Sequence, residues 1–439
     1  MSEMKKTLTL SQVVLFGLAY MTPIIVLGTF GVLAVVTQGA VTGAYLAALV
    51  AMLFTAHSYG RMAAAYPVAG SAYAYVRHAI DDRLGFLAGW AILLDYLFLP
   101  MVIWLIGAAY LNSAFPTVPT ALWLLAFIGV TTVINVLGLK LASLVNSAMM
   151  LIQMLVLVAF VGLSLRYLLG DPTQPLFSLT PFLGSDNASL PILMAGAAVA
   201  CYSFLGFDAV TTLTEETKDP ERTLPRAILL ITLLGGLIFI VVSYCVQLAA
   251  PGFDFANPDA AAYTIARNIG GDVFVSIFLI GLVVGQFASG IAAQASGARL
   301  LYAMGRDDVL PRRWLGRLGR HGTPLGGLLL SAVVALLALT MDVLSAASFI
   351  NFGAFLAFAL VNLAVIFHYY LKGGRRSLGD TLRYLVCPAI GLGAIVWLLF
   401  SLDHKAVTLG SLWLLMGLAW LLWLTRGFRR PTPELHIDA

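Results

Sequence analysis

Residues 190–213 read LPILMAGAAVACYSFLGFDAVTTL, an apolar stretch that is long enough to cross the ~30 Å hydrocarbon core of a bilayer. Its middle carries Ser203, Gly206 and Asp208, which do not suit the centre of an unbroken transmembrane helix. Glycine lets the chain unwind, and a carboxyl group at this depth costs ~2.5–3.5 kcal/mol unless it faces a cavity or a partner. The stretch therefore predicts a membrane helix that is broken at a polar site.

The whole chain has the composition of a membrane protein. Of its 439 residues, 60% are hydrophobic and 10% are charged, against roughly 45–50% and ~25% in soluble domains. The apolar runs are continuous rather than alternating, which excludes a soluble globular protein and an outer-membrane barrel. The net charge of +4 does not indicate nucleic acid, because the cations lie in short loops between apolar runs. The expected partner is the lipid bilayer.

The hydropathy pattern predicts an all-α polytopic membrane protein, a single transporter domain over residues 1–439, with twelve transmembrane helices. If the N-terminus is cytoplasmic, 22 of the 25 Lys and Arg residues fall on the cytoplasmic side. This bias predicts a multi-pass protein of the cell membrane with both termini in the cytoplasm. The predicted spans are residues 11–36, 42–65, 84–114, 121–139, 142–169, 190–213, 225–249, 273–304, 324–341, 343–371, 384–402 and 407–424.

The first span is also interrupted, at Tyr20-Met21-Thr22-Pro23. Pro23 has no N–H to donate to a helix, and it disfavours helical backbone at Thr22. Breaks in the first and sixth spans, five spans apart, are typical of an inverted-repeat transporter with its binding site at the midplane. The repeats would cover about 11–169 and 190–371, with two extra helices at about 384–424; two ordinary helix kinks are the alternative.

The candidate residues lie at the two breaks and in the third span. Those expected to bind substrate are Tyr20, Thr22, Pro23, Tyr96, Tyr202, Ser203, Gly206 and Asp208, and those expected to couple protons or to form a second amine site are Asp208 and Asp95. Asp208 could bind a substrate amine or a coupling proton, or it could cap the second half-helix. Asp95, within the third span, could relay protons, anchor a second amine, or bond to a neighbouring span. Tyr20, Tyr96 and Tyr202 lie at or next to the breaks and acids, where their rings could stabilise an ammonium group.

No motif supports an enzyme. The chain has no GxxxxGK[ST], HExxH or CxxC, and its three cysteines lie singly in apolar stretches. We therefore expect no cofactor, no metal site and no catalytic residues. A channel would need a continuous polar pore, which two isolated acids do not provide.

Four motifs resemble the amino acid–polyamine–organocation family, whose members have the LeuT-type 5+5 inverted-repeat fold with discontinuous helices 1 and 6. Residues 202–228, YSFLGFDAVTTLTEETKDPERTLPRAI, are similar to the family's sixth-span break and the loop that follows. Residues 299–311, RLLYAMGRDDVLP, resemble a second signature. Residues 17–23, GLAYMTP, and 94–100, LDYLFLP, look most like the putrescine importers.

This resemblance implies proton-coupled import or exchange of a substrate held between the broken spans. It implies that Tyr202 covers the substrate, that Tyr96 lies on an aromatic gate, and that Asp208 stands where relatives have an acid linked to proton sensing or amine binding. Amino acid carriers have a glycine-rich turn at the first break; Pro23 removes a donor there and favours a substrate with amines only. A second departure is Gly28, where the putrescine importers carry an acid.

The sequence therefore predicts a secondary active importer of a small cationic amine, putrescine or a similar polyamine, driven by proton symport. The alternative is an amino acid permease or an amino acid/amine exchanger of the same superfamily. The sequence leaves the oligomeric state open.

Overall fold

A computed structural model describes residues 7–67, 71–138, 143–170, 175–184, 189–306, 308–319 and 321–432. Within these ranges the regular structure is helical, with an isolated β-bridge between Leu8 and Thr217. The prediction of an all-helical chain is confirmed. The predicted boundary between the fourth and fifth spans, at Leu139 and Ala142, lies outside the described residues.

Turns and loops of different lengths connect the helices. Tighter 3₁₀ turns cover Cys201–Phe204, Ala209–Glu216, Pro258–Ala260 and Leu336–Thr340, and wider π-type turns cover Ile366–Lys372 and Leu382–Val386. The α-helices are α1 (Leu10–Met21), α2 (Ile25–Gly28), α3 (Phe30–Thr37), α4 (Val41–Ala65), α5 (Ser71–Ala79), α6 (Asp82–Ala114), α7 (Thr120–Val136), α8 (Ser143–Gly170), α9 (Thr180–Leu183), α10 (Leu190–Ala200), α11 (Pro220–Ala249), α12 (Ala261–Arg306), α13 (Leu325–Ala335), α14 (Val343–Val365), α15 (Leu378–Thr381), α16 (Cys387–Phe400) and α17 (His404–Leu424).

Ten helices of the described chain are long and apolar enough to cross a membrane, and two shorter apolar helices cover Thr120–Val136 and Leu325–Thr340. Large apolar side chains point outward from them; Leu151, Leu155 and Val158 of α8 are each about 60% exposed. Such a surface fits lipid rather than water. The chain is thus a polytopic membrane protein, while the count of twelve spans stays a prediction.

The segment labelled α12 consists of two helices, one before and one after Gly271, where φ is 71° and ψ is −170°. The eighth predicted span, 273–304, lies within the second of these helices, and the short first helix is not indicated by hydropathy. Only glycine adopts this backbone conformation readily. The polar residues before Gly271, including Arg267, form helix outside the apolar run, where water can solvate their side chains.

The core is built on three long helix–helix contacts: α4 packs along α11, and α6 packs along both α12 and α14. Small residues let α12 and α14 approach closely to the middle of α6. A side chain at Gly297 of α12 would overlap the carbonyl oxygen of Tyr96, and a Cβ at Gly353 of α14 would lie 2.5 Å from that of Ala91. Asp95 is therefore held between two neighbouring helices.

A polar cluster connects α4 and α14 inside the bundle. Ser58 Oγ donates to Asn362 Oδ1 at 2.7 Å, and Asn362 Nδ2 lies 3.2 Å from Thr55 Oγ1. All three side chains are fully buried. Since no water can replace these bonds at this depth, the cluster fixes how α4 and α14 face each other.

We expect Asn362→Ala to lower the free energy of unfolding by about 1–2 kcal/mol, because it leaves the Ser58 hydroxyl without its acceptor. Thermal unfolding in detergent measures the effect. Thr408→Ala is the matched control, since its exposed hydroxyl bonds only to the His404 carbonyl oxygen of its own helix. Equal melting temperatures for the two variants would contradict the structural role of Asn362.

Candidate functional site

The first span leaves the α-helix at the expected place. α1 ends at Met21, Thr22 takes a left-handed conformation with φ 51°, and α2 begins at Ile25 after Pro23. The Thr22 hydroxyl lies 3.3 Å from the Tyr20 carbonyl oxygen and 3.4 Å from Ser289 Oγ of α12. The break is thus tied to α12.

The sixth span is broken at its middle. α10 ends at Ala200, and a 3₁₀ turn over Cys201–Phe204 leads to Gly206 with φ +101°. A second 3₁₀ turn, Ala209–Glu216, begins directly after Asp208. Gly206 is the residue that permits this path, because side-chain-bearing residues rarely adopt such a φ.

The two breaks touch each other. A Cβ on Gly206 would overlap the ring of Tyr20, so the ring lies directly against the glycine backbone. Gly17 of α1 also packs against the second break, with its Cβ position 3.1 Å from Val210 Cγ1. Tyr20 of the first span and Gly206 of the sixth span therefore contact each other directly.

Asp208 lies at the end of the second break and has partners from another helix. Ser71 Oγ, at the start of α5, donates to Asp208 Oδ2 at 3.2 Å. Thr211 Oγ1 donates to the Asp208 carbonyl oxygen at 2.7 Å. The buried phenols of Tyr59 and Tyr75 are within electrostatic range of the Asp208 carboxyl group. Asp208 thus faces a set of hydroxyl groups.

Asp95 lies near Asp208. The two carboxyl groups are within electrostatic range of each other, and Asp95 Oδ1 is buried without a hydrogen-bond partner among the described residues. Tyr20 and Tyr96 are within range of both acids, and Tyr202 is within range of Asp95. The structure therefore brings together the two acids and three tyrosines singled out in the sequence.

The side chain of Ser203 forms its hydrogen bond inside the protein core. This side chain is 1% exposed, and its hydroxyl lies 3.0 Å from Tyr45 Oη, which in turn lies 3.1 Å from Thr29 Oγ1. These bonds connect the second break to α4 and to the segment between α2 and α3. Ser203 thus holds the backbone of the break in place and points into the protein core.

Two polar neighbours of the site escaped sequence reasoning. Ser71 lies between predicted spans, so hydropathy gives no reason to place it beside Asp208. Gln286 of α12 has a buried amide nitrogen without a hydrogen-bond partner in the described chain, 3.8 Å from the position of a Cβ on Gly28. Among the described residues, no group of three His, Cys, Asp or Glu side chains could hold a metal ion.

Comparison with known proteins decides the family. A family model described as amino acid permease matches residues 12–402. The chain belongs to the amino acid permease family. The chain is 39% identical, over 98% of its length and 96% of the relative's, to the low-affinity putrescine importer PlaP of Escherichia coli strain K12. It is 27% identical, over 90% of its length and 88% of the relative's, to the branched-chain amino acid permease BcaP of Bacillus subtilis strain 168.

Membership of the amino acid permease family makes this protein a transporter rather than a structural membrane protein. The resemblance to the amino acid–polyamine–organocation family is thereby confirmed.

Gly206→Ala is expected to reduce stability by about 1–3 kcal/mol, since it adds backbone strain at φ +101° and a clash with Tyr20. Tyr20→Ala combined with Gly206→Ala should recover only the part due to the clash. Thermal unfolding of the wild type, both single variants and the double variant measures this coupling. Strictly additive effects of the two substitutions would show that the ring and the glycine do not interact.

Proposed function

We propose that this transporter imports a small cationic amine, putrescine or a similar polyamine, by proton symport with alternating access. The observation that carries the proposal is the pair Asp95 and Asp208, two acids within apolar spans that lie within electrostatic range of each other. Neither carboxyl group has a Lys, Arg or His side chain within 4 Å in the described chain. The two carboxylates therefore have no positively charged partner in the described chain, and a diamine would supply two ammonium groups, one for each.

Asp95 and Asp208 lie in apolar spans, where an unpaired charge is unfavourable. An unpaired carboxylate at the bilayer centre costs ~2.5–3.5 kcal/mol on insertion scales, so intramembrane acids are retained where they bind ions, protons or charged substrates. Aromatic rings beside the acids suit the same ligand, because an ammonium group over a tyrosine ring gains roughly 0.5–2 kcal/mol. Tyr20, Tyr96 and Tyr202 would form these walls.

The backbone of the first break favours an amine over an amino acid. A substrate carboxylate would need several free N–H groups, but those of Thr22, Ile25 and Leu27 already donate to nearby carbonyl oxygens, and only that of Ile24 has no backbone acceptor in this described segment. Pro23 has no N–H to offer. Thr22 and Pro23 would therefore shape the site without binding an anion.

Each residue of the site then has a distinct role. Asp208 binds one ammonium group or the coupling proton, and Asp95 binds the other ammonium group or relays the proton. Tyr202 closes over the substrate, while Tyr96 forms the aromatic gate of α6. Gly206 supplies the unwound backbone, and Ser203 holds that backbone against α4.

We further infer a LeuT-type arrangement of two five-span repeats, about 11–169 and 190–371, in the cell membrane with both termini cytoplasmic. Support comes from the two breaks, which occur in the first span of each repeat and contact each other at Tyr20 and Gly206. The excess of Lys and Arg on one side supports the orientation.

The decisive experiment is uptake of labelled putrescine into proteoliposomes under an imposed inward proton gradient. We expect saturable uptake, with Asp208→Asn at least about tenfold slower, because the variant loses a charge-assisted contact to the substrate or the coupling proton. Asp272→Asn is the matched control, since Asp272 is exposed and pairs only with Arg267 in the described structure. Uptake of branched-chain amino acids that putrescine does not inhibit would overturn the proposal in favour of an amino acid permease.

A second prediction separates the two acids. If Asp95 binds the far ammonium group, Asp95→Asn should weaken uptake of putrescine by about tenfold and that of butylamine, which has the same carbon chain and one amine, far less. The ratio of the two KM values measures this selectivity. An equal loss for both amines, together with loss of the response to the proton gradient, would make Asp95 the proton relay instead.

A further inference from the structure

A cluster of arginine and tyrosine side chains lies at the end of the bundle where α4 and α14 end and α15 begins. The rings of Tyr369 and Tyr384 stack with centroids 4.3 Å apart and an interplanar angle of 14°. The Arg375 guanidinium lies 5.3 Å from the first centroid and 5.7 Å from the second, and that of Arg61 lies 5.8 Å from Tyr384. These four residues are the arginine–tyrosine cluster.

Hydrogen bonds hold the cluster in this geometry. Tyr369 Oη donates to the Arg61 carbonyl oxygen at 3.1 Å, and Arg375 Nη1 lies 3.4 Å from Tyr384 Oη. The two guanidinium groups therefore share one pair of rings although their charges repel each other. The rings offset only part of this repulsion, since a cation–π contact at a partly exposed site is worth about 0.5–1 kcal/mol.

No acid of the described chain neutralises these charges. Neither arginine has a carboxylate oxygen within 4 Å in that part of the structure. Asp380 is close in sequence, but its carboxylate accepts from Ser377 Oγ at 2.7 Å, and Ser377 caps the start of α15 by accepting from the Asp380 N–H. Three exposed cations extend the positive patch: Lys372, Arg376 and Arg383.

Exposed leucines border the same patch. Leu378 is 82% exposed, and Leu371 and Leu382 are each 51% exposed. These leucines lie close in sequence to Lys372, Arg375, Arg376 and Arg383. This surface is therefore both basic and apolar. A free inorganic anion would not require apolar neighbours, whereas a lipid presents a charged headgroup and acyl chains together.

We propose that the arginine–tyrosine cluster binds the headgroup phosphate of an anionic phospholipid from the leaflet that meets this end of the bundle. Arg61 and Arg375 would donate to the phosphate oxygens, for which the planar guanidinium is well suited. Leu378 and Leu382 would contact the acyl chains. The lipid would bridge α4, α14 and α15 and supply the missing negative charge.

The test is native mass spectrometry of the purified full-length protein with added phosphatidylglycerol, together with melting temperatures in the same detergent. We expect Arg61→Gln/Arg375→Gln to retain about tenfold less phosphatidylglycerol than the wild type and to lose the lipid's stabilisation. Comparing each variant with and without lipid keeps the test valid even if the substitutions lower the basal melting temperature.

The matched control is Arg222→Gln/Arg226→Gln, which removes the same charge from the exposed start of α11. It should leave phosphatidylglycerol retention unchanged. Equal losses in both double variants would overturn the proposal, because the lipid would then respond to overall charge. Full stabilisation by inorganic phosphate alone would also overturn it, in favour of a site for the free anion.

Discussion

Inside a bilayer, backbone N–H and C=O groups have no water to bond with, and this constraint governs both helix breaks. At the first break, the N–H groups of Thr22 and Ile25 return to carbonyl oxygens a few residues earlier; at the second, two 3₁₀ turns do the same. Most of the unwound backbone is thus satisfied locally, while the N–H groups of Ile24 and Gly206 have no backbone acceptor among the described residues. The acids of the site, Asp95 and Asp208, are then the groups with unused capacity to bind a cation or a proton.

The features that could be predicted from the sequence are residues that are unusual in an apolar helix. Asp208 and Pro23 are visible because a carboxyl group and a proline do not belong in the middle of an apolar helix. Ser71 breaks no such rule, and its bond to Asp208 joins residues 137 positions apart, so only the folded chain could reveal it. The short helix before Gly271 was not predicted for a related reason: hydropathy detects apolar spans, and this helix carries polar residues such as Arg267.

Gly28 shows how one position changes the chemistry of a site without altering the fold. Ile106 and Ile25 lie within 3.4 Å of a Cβ built there, so the space is apolar except for the Gln286 amide. An acidic side chain at this place would have that amide as a ready donor. The carboxyl groups of the candidate site are those of Asp95 and Asp208.

The amino-terminal segment adds a mechanical consequence. The N–H groups of Thr7 and Leu8 donate to the Glu216 carbonyl oxygen at 2.9 Å, and the Lys218 N–H donates to that of Leu8 at 3.0 Å. The segment before α1 is therefore tied to the end of the second break, while Tyr20 ties α1 to its middle. Because α1 and Ala209–Glu216 are joined at two points about a helix length apart, we expect them to move together. Any motion that separated the surface end of α1 from the loop after the second break would first have to break the hydrogen bonds of the β-bridge.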